Sequence, residues 1–117
     1  MVVEDDKFLS SLLKARLEKD GFGTVQAFDG EEAINLLRQA KPDLILLDLI
    51  MPKVSGFEVL HTISLSPQLN KIPVVVLSNL GQDDDIQKAR SLGAAEYFVK
   101  VRVSIDNLVG KINTMLQ

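Results

Sequence analysis

Short apolar runs alternate with longer amphipathic stretches along the whole chain, and this alternation constrains the fold more than any other feature of the sequence. Residues 44–47 and 74–77 are continuously apolar, as is typical of central parallel strands that helices cover on both faces. The stretches between the apolar runs have the spacing of apolar residues found in amphipathic helices. The pattern therefore predicts five strands and five helices in strict alternation, an α/β fold around one parallel sheet.

Local signals indicate where the predicted helices begin and end. Asp29 with Glu32, and Ser55 with Glu58, have the spacing of a capping box, which begins a helix. Gly21 is expected to end the first helix. The apolar face is predicted to contain Phe8, Leu9, Leu12, Leu13 and Leu17 in the first helix, and Phe57, Leu60 and Ile63 in the third.

The composition excludes several classes of function. The chain has no Cys, which excludes disulfides and cysteine nucleophiles and fits a cytoplasmic location. Its net charge is −3 and it has no long basic run, so we expect no direct binding to nucleic acid. No apolar stretch reaches the about 20 residues that span a bilayer, so we expect no membrane association. The length fits one domain, residues 1–117.

Polar residues follow the predicted strands at the points where the strands end. Glu4 and Asp5 follow the first strand, and Asp48, Ser78 and Lys100 follow the third, fourth and fifth. Because the carboxyl ends of parallel strands meet at one edge of a sheet, these side chains are expected to converge there. Burying charged groups together is costly unless they are compensated, so the set suggests a site for a hard cation and a phosphoryl group.

The residue types fit that chemistry. Mg²⁺ prefers oxygen ligands and often shares its coordination shell with phosphate, and Glu4, Asp5 and Asp48 offer carboxylates. A carboxylate can also attack phosphorus and form an acyl phosphate. Phosphoryl transfer then needs positioning and charge neutralisation, which Lys100 and the Ser78 hydroxyl can supply.

The complete set resembles the signature of the receiver domain of bacterial two-component response regulators, including the chemotaxis regulators, and the resemblance extends over essentially the whole chain. The matching residues are Glu4, Asp5, Asp48 within the segment LLDLIMP of residues 46–52, Gly56, Ser78, Tyr97 and Lys100. The resemblance implies a flavodoxin-like doubly wound (βα)5 fold whose five-stranded parallel sheet has the order 2-1-3-4-5.

The resemblance also implies a role for each residue of the phosphorylation site. Asp48 is implied to be the phosphoacceptor. Asp5 and Asp48 are implied to bind Mg²⁺ together with the backbone carbonyl of Ile50, and Glu4 to support the metal. Lys100 is implied to pair with the acceptor and then with the phosphoryl oxygens.

Ser78 and Tyr97 are the switch residues that the resemblance implies, with Ser78 moving to the phosphoryl group and Tyr97 shifting inward. The output surface would be formed by the fourth helix, fifth strand and fifth helix. The implied phosphodonor is a sensor histidine kinase or a histidine phosphotransfer protein. The resemblance also implies that a downstream effector protein or domain responds to this surface. A phosphorylation-dependent homodimer is compatible with the resemblance. The domain would be a signalling module that assists only its own phosphorylation and dephosphorylation, not an enzyme.

Two other hypotheses compete with a receiver domain, and departures from the family pattern keep the first of them open. Val101 follows Lys100 where the family usually has a proline after a cis peptide bond, which puts the path of this loop in question. Asn79 stands where a very small residue is usual and should narrow access to Asp48. Both departures are compatible with a pseudo-receiver that binds partners constitutively. A phosphatase with an aspartyl nucleophile is the other hypothesis, although Ile50 stands where its second acid would be expected.

Two further residues invite a functional interpretation that we do not favour. Asp6 is predicted to stabilise the start of the first helix, where a negative charge is favourable, rather than to join the metal ligands. His61 is predicted to lie on the surface of the third helix rather than to carry a phosphoryl group.

Overall fold

Strands and helices alternate from one end of the chain to the other in the computed structural model, which describes residues 1–117. The strands are β1 (Val2–Val3), β2 (Gln26–Ala27), β3 (Ile45–Leu47), β4 (Val74–Ser78) and β5 (Glu96–Val99). The helices are α1 (Lys7–Lys19), α2 (Gly30–Leu37), α3 (Gly56–Leu65), α4 (Asp83–Ser91) and α5 (Ile105–Met115), and a short 3-10 turn, Lys100–Arg102, precedes α5.

All the strands are parallel and form one sheet in the order β2-β1-β3-β4-β5. In register, Val3 of β1 lies opposite Leu47 of β3, and Leu47 lies opposite Val76 of β4. This topology confirms the predicted flavodoxin-like α/β fold. No helix is both long enough and apolar enough to cross a membrane.

The sheet is covered on both faces, and its strands supply alternate side chains to two apolar cores. Residues such as Val3, Leu47 and Val76 pack with α2, α3 and α4. Their sequence neighbours, such as Leu46 and Val75, pack with α1 and α5 on the other face. Because both faces of the central strands are buried, the strands are continuously apolar, and polar residues are confined to their ends.

Side chains cap every helix except α4, and the caps of α2 and α3 are those that the sequence indicates. The backbone N–H of Glu32 donates to Asp29 Oδ1 at 2.8 Å, and that of Glu58 donates to the Ser55 hydroxyl at 3.3 Å. Asp6 caps α1, as predicted, because its Oδ1 accepts hydrogen bonds from two backbone N–H groups of the first turn. These caps fix the helix starts directly after the loops that carry the polar residues.

The predicted apolar face of α1 was too wide. Leu13 and Leu17 are buried, whereas Phe8 is 75% exposed and Leu12 is 42% exposed. At about 100° per residue, Phe8 and Leu12 lie about 120° or more around the helix from the midpoint between Leu13 and Leu17. A helix that packs on a sheet buries a narrower stripe than that, so the outer members of the apolar set face solvent.

In α3 the predicted face is shifted by part of a turn. Leu60 and Ile63 are buried as predicted, but Val59 is also fully buried, and Phe57 is only half-buried. The Phe57 ring lies at the edge of the core, where the ammonium of Lys88 on α4 is 4.4 Å from its centroid. His61 is exposed, as predicted.

Candidate functional site

The carboxyl ends of β1 and β3 bring three carboxylates together. One oxygen from each of Glu4, Asp5 and Asp48 lies within 4.8 Å of the others. Glu4 and Asp48 are buried, with 2% and 5% of their surface exposed, and Asp5 is open to solvent. The site therefore combines two buried carboxylates with a third that solvent can reach.

Lys100 joins the two buried carboxylates. Its Nζ lies 2.8 Å from Glu4 Oε1 and 3.0 Å from Asp48 Oδ2. The lysine begins the 3-10 turn after β5, and every peptide bond is trans, including the one that precedes Val101. The departure from the family pattern at Val101 therefore does not prevent the Lys100 side chain from reaching the site.

Hydrogen bonds from the following backbone orient the Asp48 side chain. Asp48 Oδ1 accepts the N–H of Leu49 at 2.7 Å and that of Ile50 at 3.4 Å. Gly56, at the start of α3, packs tightly against the Asp48 backbone, since a β-carbon placed on it would lie 2.9 Å from the Asp48 carbonyl carbon. Asp48 is thus held on one side by its own loop and on the other by Lys100.

The environment changes the pKa of two of these groups. Burial raises the pKa of Glu4 to about 7, against the opposing effects of the Lys100 ammonium and the backbone N–H of Asp6. Burial alone would lower the pKa of Lys100, but its hydrogen bonds to Glu4 and Asp48 outweigh that effect, so its pKa is raised. The lysine therefore stays protonated and supplies a fixed positive charge beside Asp48.

Ser78 and Tyr97 meet at the loop that follows β4. The Ser78 hydroxyl is fully buried and accepts the backbone N–H of Leu80 at 3.3 Å. The Tyr97 hydroxyl donates to the carbonyl oxygen of the same residue, Leu80. Burial raises the pKa of Tyr97, and the charge of Asp85 adds to that effect. The two predicted switch residues are therefore linked through one loop residue.

The other residues singled out from the sequence lie outside this group. Asp6 caps α1 and does not belong to the carboxylate cluster. Ile50 is 59% exposed. Asn79, which follows Ser78 in the chain, is also exposed. The direct pairing of Glu4 with Lys100 was not predicted, and the only sequence signal for it is the opposite charge at the ends of two strands.

The donor set fits a hard divalent cation. All its potential ligands are oxygens, the carboxylates are close enough to share one ion, and one of them is open to solvent. Mg²⁺ takes such oxygen ligands and retains several waters, which the exposed side of the cluster would accommodate. The cluster Glu4, Asp5 and Asp48 could therefore hold Mg²⁺.

Comparisons with known proteins agree with this geometry. The family model of the response regulator receiver domain matches residues 1–113. The transcriptional regulatory protein CpxR of Escherichia coli (strain K12) is 38% identical over 117 residues, which are all of this chain and 48% of that protein. The solved Mn²⁺-bound form of the response regulator Rcp1 is 35% identical, with a TM-score of 0.85, and the match covers 97% of this chain and 89% of that one. The phosphorylated cyanobacterial phytochrome response regulator RcpA is 36% identical, with a TM-score of 0.80 and coverage of 97% and 87%.

The similarity extends over nearly the whole of this chain, in sequence and in fold. The chain spans about half the length of the first curated relatives that it matches. The chain therefore belongs to the response regulator receiver domain family, a signalling domain of two-component systems.

Proposed function

We propose that this receiver domain is a phosphorylation-dependent switch. Asp48 accepts a phosphoryl group from a sensor histidine kinase or a histidine phosphotransfer protein, and the surface formed by α4, β5 and α5 changes in response. The observation that carries the proposal is the placement of Asp48 between Lys100, at 3.0 Å, and a cluster of two further carboxylates.

The Asp48 carboxylate is the nucleophile of the proposed reaction. One of its oxygens forms a bond to phosphorus while the bond between phosphorus and the imidazole nitrogen of the donor breaks, and the imidazole takes the electron pair. The hydrogen bonds that Asp48 Oδ1 accepts from Leu49 and Ile50 restrict rotation of the carboxylate. A fixed orientation matters because phosphoryl transfer depends mainly on positioning and on neutralisation of charge.

Asp5, Asp48 and the backbone carbonyl of Ile50 would hold Mg²⁺, with Glu4 as a supporting group. When bound, the ion would neutralise charge on the phosphoryl oxygens. The fit of the oxygen donors supports this assignment, as does the metal in the similar protein Rcp1, which was solved in a Mn²⁺-bound form. The phosphorylated form of RcpA supports phosphorylation in the same way.

Besides the metal, the proposed reaction uses a positive charge from the chain, the ammonium of Lys100. Its ammonium now pairs with Glu4 and Asp48, and it has three N–H donors, so it can exchange one contact for a phosphoryl oxygen. Glu4 would keep the ammonium near the acceptor during this exchange. The raised pKa of Lys100 means that the ammonium remains charged throughout.

Ser78, Leu80 and Tyr97 form the proposed link to the output surface. The Ser78 hydroxyl accepts a hydrogen bond from Leu80 but keeps its own hydrogen, which it can donate to a phosphoryl oxygen. A movement of Ser78 would change the position of Leu80, to whose carbonyl the Tyr97 hydroxyl is bonded. The signal would thereby reach β5 and the adjacent α4, which are expected to bind an effector protein or domain or to form a homodimer.

We propose no enzymatic activity beyond the domain's own phosphorylation and dephosphorylation. Ile50 has no acidic group at the position where an aspartyl phosphatase would need one. The proposed location is the cytoplasm, where histidine kinases present their phosphoryl groups.

Intact mass measurement after incubation with phosphoramidate tests the acceptor. We expect one phosphoryl adduct on the wild type that requires Mg²⁺ and is absent when the metal is removed with EDTA. Asp48→Asn should give no adduct. Asp43→Asn is the matched control, since Asp43 is an exposed acid before β3, and it should behave as the wild type.

A wild type without an adduct should be tested again with a phosphorylated histidine-containing protein, because Asn79 is expected to hinder small donors. Failure with both donors would contradict the proposal and favour a pseudo-receiver. An adduct that persists in Asp48→Asn would contradict the assignment of the acceptor.

A further inference from the structure

We infer that Gly30, the first residue of α2, is a positioning residue for the phosphorylation site. It acts through the acceptor loop, which we define as residues 49–55 between Asp48 and α3. The inference rests on the proposed function, because its consequence is measured as the affinity of the site for Mg²⁺. Gly30 itself does not belong to the site.

Gly30 is in closer contact with the acceptor loop than any residue with a side chain could be. A β-carbon placed on Gly30 would lie 2.7 Å from the carbonyl carbon of Val54 and 2.8 Å from its Cβ, and closer still to its carbonyl oxygen. These are backbone atoms and the first side-chain atom, which cannot rotate away. A side chain at position 30 would therefore force α2 and the acceptor loop apart.

Backbone conformation does not explain the glycine. The positive φ angles of the chain belong to Lys53, Gly21 and Gly93, so Gly30 has an ordinary φ. Glycine is also a poor helix former compared with alanine, although here it begins α2. The remaining reason for a glycine at position 30 is its close approach to Val54.

The acceptor loop is held on its other side by a second glycine. A β-carbon on Gly56 would lie 2.6 Å from the Cα of Leu49, and the N–H of Gly56 donates to the Leu49 carbonyl at 2.9 Å. Within the loop, Lys53 has a φ of 69°, an uncommon value for a residue with a side chain. The loop is therefore clamped in a tight conformation between the first residues of α2 and α3.

Asp29 connects the start of α2 to the same loop by charge. Its Oδ1 caps α2, and its Oδ2 lies 3.8 Å from Nζ of Lys53. The turn that begins α2 therefore contacts the loop at two successive residues, Lys53 through Asp29 and Val54 through Gly30. The helix start and the loop form one packed unit.

The loop carries the groups that complete the site. The N–H groups of Leu49 and Ile50 hold Asp48 Oδ1, and the carbonyl of Ile50 is the proposed third protein ligand of Mg²⁺. Displacing the loop from α2 would move these groups relative to Asp5, which follows β1 in a separate part of the chain. Metal affinity should fall although no metal ligand is changed.

Calorimetric titration with Mg²⁺ and amide NMR spectra of Gly30→Ala test the inference. We expect Mg²⁺ to bind about tenfold more weakly, which is the scale of effects seen when groups that support metal ligands are changed. The amide signals of Leu49 and Ile50 should shift in the metal-free protein. Gly110→Ala is the matched control, because this exposed glycine of α5 has no atom within 4 Å of a β-carbon placed on it, and its Mg²⁺ affinity should not change.

Asn35→Gly is a second control, since it weakens α2 at an exposed position without adding an atom near Val54. Wild-type affinity and unshifted signals in Gly30→Ala would overturn the inference, as would an equal loss of affinity in Asn35→Gly. If the wild type bound no Mg²⁺, the proposed function would fail, and the shifts of Leu49 and Ile50 would decide the inference alone.

Should Gly30→Ala not fold, the double variant Gly30→Ala/Val54→Gly replaces it, because a glycine at position 54 frees the loop backbone to move away. Its comparison is Val54→Gly alone. The inference predicts weaker Mg²⁺ binding by the double variant, and equal binding by the two proteins would overturn it.

Discussion

Lys100 compensates the negative charge of two buried carboxylates. Glu4 and Asp48 are buried and close together. An unpaired charge on either side chain would strongly destabilise the folded protein. Lys100 contacts both, at 2.8 Å and 3.0 Å. When all the carboxylates are ionised, the cluster with Lys100 retains an excess of two negative charges, which is the charge that one divalent cation would balance.

At the scale of single residues, Glu4 should make the stability of the metal-free protein depend on pH. The pKa of Glu4 is raised from 4.5 to about 7 in the folded protein, so the folded state binds this proton more tightly than the unfolded state. The resulting stabilisation is complete below pH 4.5 and is lost as the pH rises to about 7. In EDTA, the melting temperature of the wild type should therefore fall relative to that of Glu4→Gln over this range.

Glu31→Gln is the control for that measurement, because Glu31 is an exposed acid in the first turn of α2. Its melting temperature should run parallel to that of the wild type. A constant difference between the wild type and Glu4→Gln from pH 4.5 to 7 would show that Glu4 does not titrate in this range.

Single residues should also determine how long the phosphoryl group stays on Asp48. Ile50 and Leu80 are the apolar residues that would flank a water attacking the aspartyl phosphate, and neither can orient it by hydrogen bonding. We expect a long-lived phosphate in the wild type and a severalfold faster loss in Ile50→Asn, measured by intact mass over time. The Ile50 side chain is largely exposed, so the change should leave the melting temperature nearly unaltered. Equal rates of loss would contradict the role given to water orientation.

At the scale of elements, the helices differ in how well their sequence predicts their buried face. Capping side chains mark the starts of α1, α2, α3 and α5, whereas α4 begins without one. The starts of α2 and α3 were therefore predictable from Asp29 and Ser55. The face that a helix buries depends on how the helix lies on the sheet. Five apolar residues in α1 offered a wide face, and packing selected Leu13 and Leu17 from it.

Adjacent leucines in α1 provide a matched test of this packing. Leu13 is 1% exposed and Leu12 is 42% exposed. Leu13→Ala should lower the free energy of unfolding by about 2–5 kcal/mol because it leaves a cavity in the core. Leu12→Ala should cost less than about 1 kcal/mol. Urea denaturation of both variants checks the difference, and similar losses would mean that α1 presents another face to the sheet.

The continuous apolar runs allowed β3 and β4 to be predicted closely, because a strand buried on both faces has few alternatives. The strand order was not contained in the periodicity and came from the resemblance to receiver domains. The close approach of Gly30 to Val54 was not predictable, since nothing in the sequence indicates that two distant backbone segments touch. Local signals therefore specify elements, and contacts between elements need the folded structure.

At the scale of the whole molecule, the sheet separates two cores while its carboxyl edge joins residues from four strands. The acidic cluster comes from the ends of β1 and β3, Ser78 from β4, and Lys100 from the turn after β5. In the proposed switch, a change at this edge would reach the outer surface through Leu80, which contacts both Ser78 and Tyr97. The proposed switch therefore needs no movement of the central strands, only of the loop after β4 and its neighbours.

The most direct test of this switch is the amide NMR spectrum of the wild type before and after phosphorylation with phosphoramidate and Mg²⁺, with Asp48→Asn treated in the same way. We predict signal changes at Ser78, Leu80 and Tyr97 that continue into α4 and the start of α5, and no such changes in Asp48→Asn. Changes confined to the immediate neighbours of Asp48, or equal changes in Asp48→Asn, would contradict a phosphorylation-dependent switch at this site.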